Sequence, residues 1–309
     1  MIEPARYNKI KDTVFDDFQK LSIEIKKTID LLKNENIAFG NDIQQYLCGN
    51  SKQIRACLLF LFANAILGKT NENIIKLASA VEIIHNATLI HDDIIDNALI
   101  RRGHTTINKK YDSKLSIIAG DFLLSIAINI LNSIKNPSII KNFSNCLISL
   151  CKGEINQYFS KQETPTIKEY IEKSKNKTAS LFIATLKSLS NLNNNIYEKE
   201  LINFALNFGI AFQINDDLNN ILNEKKQKPL FNDISSGIYT APIIFGYGEN
   251  KNLANIKTND ILKTAKEEKN INLTKKLINH YISLAKAEIR NLPESIYTQA
   301  LNNLCNIFS

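Results

Sequence analysis

A chain of 309 residues with only 10 Gly and 6 Pro has few places for tight turns, so it must be built from long, uninterrupted elements. Its apolar residues recur at helical spacing. Val14, Phe18, Leu21, Ile25, Ile29 and Leu32 trace one stripe of a helix over 13–33. Residues 54–67 are strongly apolar and read as a buried helix. The helical pattern continues over 73–97, 115–134, 139–160, 167–190, 197–224, 256–268, 270–291 and 295–307. Looser stretches are expected near Gly40, over 101–112 and over 225–240, the last turning helical towards its end. β-Branched residues are common, but their period is helical, and period outweighs propensity. No Pro/Gly/Ser-rich linker or internal repeat divides the chain, so one all-α domain over 1–309 is the simplest architecture.

The formal net charge of +7 admits nucleic acid, anionic lipid or a phosphorylated substrate as partner. The basic residues are spread along the chain, and none of the nucleic-acid-binding motifs occurs, so no nucleic-acid partner is expected. The five cysteines are irregularly spaced without zinc-ligand patterns, and residues 1–11 lack an apolar secretory core. Reduced thiols and a cytoplasmic location are therefore expected. No window reads as a membrane-spanning run.

Chemistry concentrates first at Ile83–Asp96. Asp92 and Asp96 are four apart and share a helix face, with His85 seven residues earlier on the same stripe. Like charges at that spacing repel, and apolar flanks make them costly to desolvate. A cation relieves both costs. Two carboxylates with open coordination positions suit Mg²⁺, which favours oxygen ligands and completes its shell with water and phosphate. Five residues beyond Asp96, the adjacent arginines Arg101 and Arg102 end the helix and can each grip an anion bidentately. A second polar cluster runs from Gln213 through Asp216 and Asp217 to Asn220, with Asp216 and Asn220 on one face.

In these motifs the chain resembles the polyprenyl diphosphate synthases, the trans-prenyl transferase family. The resemblance covers about residues 45–245. It rests on His85, Asp92-Asp93-x-x-Asp96 and Arg101-Arg102-Gly103 in register, on Gly120-Asp121-Phe122-Leu123, on Lys177-Thr178-Ala179, and on Gln213 with Asp216-Asp217. It implies an antiparallel helical bundle around a deep central cavity, usually dimeric, with the two acidic motifs facing each other at the mouth. By the same resemblance, Asp92, Asp96 and Asp216 hold Mg²⁺ against an allylic diphosphate. Arg101, Lys177, Thr178, Gln213 and Lys228 complete that site, and Lys52, Arg55, His85 and Arg102 hold isopentenyl diphosphate.

The chain departs from the family pattern at several positions. Gln53 stands for the usual Arg, Ala56 for Pro, Asn50-Ser51 for a Gly pair, Asn220 for Asp, and Ile238 for Lys. These leave open an active enzyme with a relaxed pattern or a regulatory subunit of a two-component synthase, so both a homodimer and a heteromer fit. A class I terpene cyclase is a further alternative, because Asp216, Asn220 and Glu224 have the spacing of that group's second metal motif. The residues before the first acidic motif, Ala87 and Thr88, are small where short-chain members carry aromatics. A long product of the size used for quinone tails (ubiquinone among them) is therefore expected, with transient membrane contact at its release. Phe122 and Phe159 are alternative floor residues.

Overall fold

The computed structural model describes residues 4–34, 40–49, 51–159, 163–223 and 227–308. Its helices are α1 (Pro4–Asp12), α2 (Phe15–Asn34), α3 (Gly40–Cys48), α4 (Ile54–Leu67), α5 (Glu72–Ile95), α6 (Ile107–Lys110), α7 (Ser113–Ser133), α8 (Pro137–Tyr158), α9 (Ile167–Ser174), α10 (Ser180–Asn191), α11 (Glu198–Leu222), α12 (Gln227–Ser235), α13 (Ala241–Tyr247), α14 (Thr258–Ala265), α15 (Glu268–Ile289) and α16 (Ile296–Cys305). Between α5 and α6 lies a hairpin of two-residue strands, β1 (Ile100–Arg101) and β2 (His104–Thr105), and a π-helical turn, Lys175–Ala179, joins α9 to α10.

The chain is thus all-α, as its periodicity predicts. α4 is apolar on every side, and 11 of its 14 residues are buried, so it runs through the centre of the bundle. Each fully buried Leu or Phe along it contributes about 1.5–3 kcal/mol of transfer free energy. Starts are set locally: Asn71 caps α5, Asp112 caps α7, and Asn136 precedes Pro137 at the first turn of α8. Thr166 and Glu169 form a capping box at α9.

Four features differ from the sequence expectation. α1 and α3 are too short for periodicity to reveal. α12 and α13 occupy most of a stretch read largely as loop. A small apolar cluster including Ile221, Leu230, Ile234, Tyr239 and Ile243 stabilises them, an effect of tertiary packing. The arginine pair does not end a helix: α5 stops at Ile95, and Arg102-Gly103 forms the hairpin turn with both φ angles positive, 52° and 87°. Finally, α7 is long and apolar enough to cross a membrane by length and composition alone. In the fold it lies along α5, the most extensive helix pairing in the molecule.

Gly209 on α11 decides how close the π-helical turn can come. A Cβ there would sit 2.6 Å from Ala179 Cα and 2.7 Å from its Cβ. Gly209→Ala should therefore destabilise the fold by about 1–3 kcal/mol, lowering the thermal midpoint by several degrees. Gly153→Ala on α8, where the nearest atoms lie at 3.5 Å, should leave the midpoint unchanged or raise it in the same thermal melt.

Candidate active site

Asp92 lies in the last turn of α5, and Asp96 is the residue that caps it. Burial pushes the Asp92 carboxyl up to about 6; Lys177 opposes the rise, while Glu154 and Asp96 add to it. Asp96 is raised for the same reasons. Across the gap, the π-helical turn places Lys177 with its Nζ 2.6 Å from Glu154 Oε1 on α8. Burial pulls Lys177 down, but Glu154 and Asp92 outweigh it and leave the ammonium above its ordinary value.

A third carboxylate, Asp233 on α12, faces this group. Burial raises it to about 6, and Asp96 is its strongest charged neighbour. Lys173, one turn before Lys177, is drawn in among Asp217, Lys177, Glu154 and Asp233, and burial lowers it. Asp233, Glu154 and Lys173 were not singled out in the sequence. A sequence signal did exist for Glu154, an acid beside Gly153 in a helix that is otherwise mostly apolar or neutral polar.

The two Asp-Asp pairs share one plan. In each, the second Asp is an anchor held by a tyrosine hydroxyl. Asp93 is 1% exposed; it accepts Arg101 Nε at 2.8 Å and Nη2 at 2.5 Å on Oδ1, and Tyr46 Oη at 2.8 Å on Oδ2. Burial first, and then Asp93, hold the Tyr46 phenol well above its usual range. Asp217 accepts Tyr170 Oη at 2.6 Å and Gln213 Nε2 at 2.8 Å. Gln213 in turn accepts the Thr178 hydroxyl. Asp216 is exposed. Arg101 and Gln213 are thus each committed on one side to a carboxylate, Asp93 and Asp217 respectively.

A second wall is basic. Arg102 Nη1 donates to Tyr46 O at 3.1 Å and to Asn86 Oδ1 at 3.2 Å, contacts that hold its positive-φ backbone in place. The Arg55 guanidinium lies 4.6 Å over the Phe182 ring, and its buried Nε has no hydrogen-bond partner. Burial lowers Arg55 and Arg102. His85 is pulled well below its ordinary value by burial and by both arginines, so it is neutral at physiological pH. Glu82, buried on α5 a turn before His85, accepts Ala56 N–H at 3.2 Å. The departure from Pro at position 56 thus supplies a donor that proline lacks. Lys52 is exposed at the loop before α4.

Ala87 is buried in α5, and Thr88 is half-buried with its hydroxyl donating to His85 O at 2.8 Å. Phe122 packs against the core. Phe159, 76% exposed at the end of α8, does not form a buried floor. The side chain of Lys228 and the residues Asn50 and Glu224 lie outside the described residues, the last being part of the cyclase spacing.

The donor set fits a divalent cation of the Mg²⁺ type. Among the described residues no cluster of three side chains encloses an ion. Asp92, Asp96 and Asp233 are instead desolvated carboxylates on facing walls, suited to an ion that keeps water and substrate phosphates in its shell.

Known proteins resemble this chain along most of its length. The family model described as "Polyprenyl synthetase" matches residues 39–281. A "Prenyl transferase" of Cyanidium caldarium is 32% identical, the alignment covering 93% of this chain and 94% of that protein. "Solanesyl-diphosphate synthase 2, chloroplastic" of Oryza sativa subsp. japonica is 30% identical over 98% of this chain and 79% of its own length. The crystal structure of heptaprenyl diphosphate synthase from Staphylococcus aureus superposes with a TM-score of 0.86 at 25% identity, covering 95% of this chain and 96% of that one. The all-α fold and these matches together make the chain a prenyl transferase of the polyprenyl synthetase family.

Proposed function

We propose that the chain extends an allylic diphosphate with isopentenyl diphosphate units to a long all-trans polyprenyl diphosphate, used for quinone side chains. The observation that supports this is the presence of two walls of opposite charge. Asp92, Asp96 and Asp233 are carboxylates held up by burial and call for a cation, while Arg55 and Arg102 are guanidiniums held down by burial beside Glu82, with the buried Arg55 Nε left without a hydrogen-bond partner. A metal-bound allylic diphosphate suits the first wall and a metal-free isopentenyl diphosphate the second. Members of this family use a divalent metal, which is taken here as Mg²⁺.

When bound, Mg²⁺ supplies positive charge to the departing diphosphate. Lys177 and Arg101 add to that charge from fixed positions: Lys177 is held by Glu154 and Arg101 by Asp93. Asp216, Thr178, Gln213 and Lys228 belong to the same allylic site. As the C–O bond breaks, the allylic carbon becomes cationic, and the alkene of isopentenyl diphosphate, oriented by Lys52, Arg55, His85 and Arg102, attacks it. A proton leaves the resulting tertiary cation, with the released diphosphate as acceptor. The neutral state of His85 suits it to hydrogen-bond the isopentenyl diphosphate without adding charge beside the carbocation.

The small residues Ala87 and Thr88 ahead of Asp92 support a long product, and relatives of that kind include a solanesyl diphosphate synthase. Purified protein incubated with Mg²⁺, radiolabelled isopentenyl diphosphate and farnesyl diphosphate should give a ladder ending at one long chain when the extracted prenyl products are sized. No incorporation by folded protein with any allylic primer would overturn the proposal. Ala87→Phe should shorten the final product, and an unchanged distribution would count against Ala87 as a length determinant.

Asp92 and Asp233 titrate near pH 6 in the fold, against an ordinary 3.8. Between those values the folded chain holds more protons than the unfolded one, so metal-free stability falls as pH rises from about 4 to 6. Asp92→Asn should raise the thermal midpoint of the metal-free protein at pH 7 and reduce its dependence on pH across that window. The same change should lower turnover by about 10²-fold or more.

The outer face of α7 and α8 carries exposed Ile117, Ile118, Ile148, Ile155 and Tyr158, an apolar surface of the kind a second copy covers. Light scattering coupled to gel filtration should report a homodimer, and Ile118→Glu with Ile148→Glu should convert it to monomer.

A further inference from the structure

The loop before α4 is held from outside the site by the first helix. Tyr7 on α1 is 3% exposed, and its hydroxyl donates to the Lys52 carbonyl at 2.6 Å. One turn on, Lys11 Nζ donates to Gln53 Oε1 at 3.2 Å while lying 4.1 Å over the Phe18 ring. Lys11 makes no ion pair within 4 Å among the described residues, so its ammonium is oriented by Gln53 and the ring. Consecutive residues of one loop are thus gripped by consecutive turns of a helix 45 and 42 positions away in sequence.

The loop needs such a grip. Gln53 has φ 53° and ψ 43°, a left-handed conformation that costs a residue other than Gly about 1–2 kcal/mol. α4 has no side-chain N-cap; beyond the short Ser51 Oγ contact at 3.3 Å to Gln53 N–H, its first turn relies on Glu82 bonding Ala56 N–H. A strained loop with little local support lies close in energy to relaxed alternatives. Rotation about Gln53 would carry Lys52 away from Arg55, which begins the helix on the far side of the strained residue.

We propose that Tyr7 and Lys11 are positioning residues that clamp the 51–53 loop in the conformation that presents Lys52 alongside Arg55 and Arg102 to isopentenyl diphosphate. The inference rests on the reading of that wall as the isopentenyl diphosphate site and extends it to a helix that touches no substrate. Loss of one clamp contact lowers the population of the competent loop, and apparent affinity falls by the same factor.

Calorimetric titration of the full chain with isopentenyl diphosphate, and separately with farnesyl diphosphate plus Mg²⁺, tests this. Tyr7→Phe keeps the buried ring and removes only the hydroxyl; Lys11→Met keeps the stem over Phe18 and removes the charge. Each should weaken isopentenyl diphosphate by about fivefold, the effect of one hydrogen bond, and leave farnesyl diphosphate within about twofold. Lys11→Arg, which still donates to Gln53, should bind like the parent. Equal weakening of both ligands, or of neither, would show that α1 is a scaffold only and overturn the clamp. A parent chain that binds isopentenyl diphosphate but forms no prenyl product would defeat the proposed function, while the variant ratio still decides the clamp. A parent that binds no isopentenyl diphosphate would defeat both.

Discussion

The site depends on one buried ion pair. Asp93 sits at the junction of α3, α5 and the hairpin, accepting Arg101 through two nitrogens and Tyr46 through its hydroxyl. Burying a carboxylate is costly unless it is fully hydrogen-bonded, and removing one partner of such a pair typically costs about 3–5 kcal/mol. That cost makes the arrangement selective: with Asp93 satisfied only here, the hairpin can dock in one way. The docking fixes Arg101 on the acidic side and turns Arg102, the next residue, towards Asn86 and the basic side. A single turn therefore positions both arginines, and the strain of a positive φ at Arg102 is offset by its contacts with Asn86 and the Tyr46 carbonyl.

The second acidic motif repeats this division. Asp217 is held by Tyr170 and Gln213, and Gln213 reaches Thr178 in the π-helical turn. The wider π turn redirects the chain at Lys177, bringing its ammonium to Glu154, Asp92 and Asp96. Gly209 on α11 permits that turn to approach, because any side chain there would meet Ala179. Packing between α10 and α11 and the charge placement at the site are thus two consequences of one close contact.

The departures from the family pattern have local explanations in part. Ala56 gains a hydrogen bond to Glu82, and Gln53 is engaged by Lys11. Nothing in the structure explains Ile238 in place of Lys. Lys173 brings an additional positive charge to the same wall as Asp217 and Asp233.

Much of this was legible in the residues themselves. Strong, unbroken apolarity marked α4 at the bounds the structure shows, because a run apolar on all sides between Gln53 and Gly68 is placed most simply as a buried helix. The spacing of His85, Asp92 and Asp96 placed them on one stripe, and the ordered motifs pointed to the family. Short helices such as α1 and α12 were not legible, since their stability comes from partners distant in sequence. The sequence by itself determined which side chains could bind a cation or an anion, through residue type and helical period. Only the tertiary structure decided which Asp of each pair is an anchor. Adjacent residues on a helix point about 100° apart, and the choice between them is made by Tyr46 and Tyr170, each arriving from 47 residues upstream of the Asp it holds.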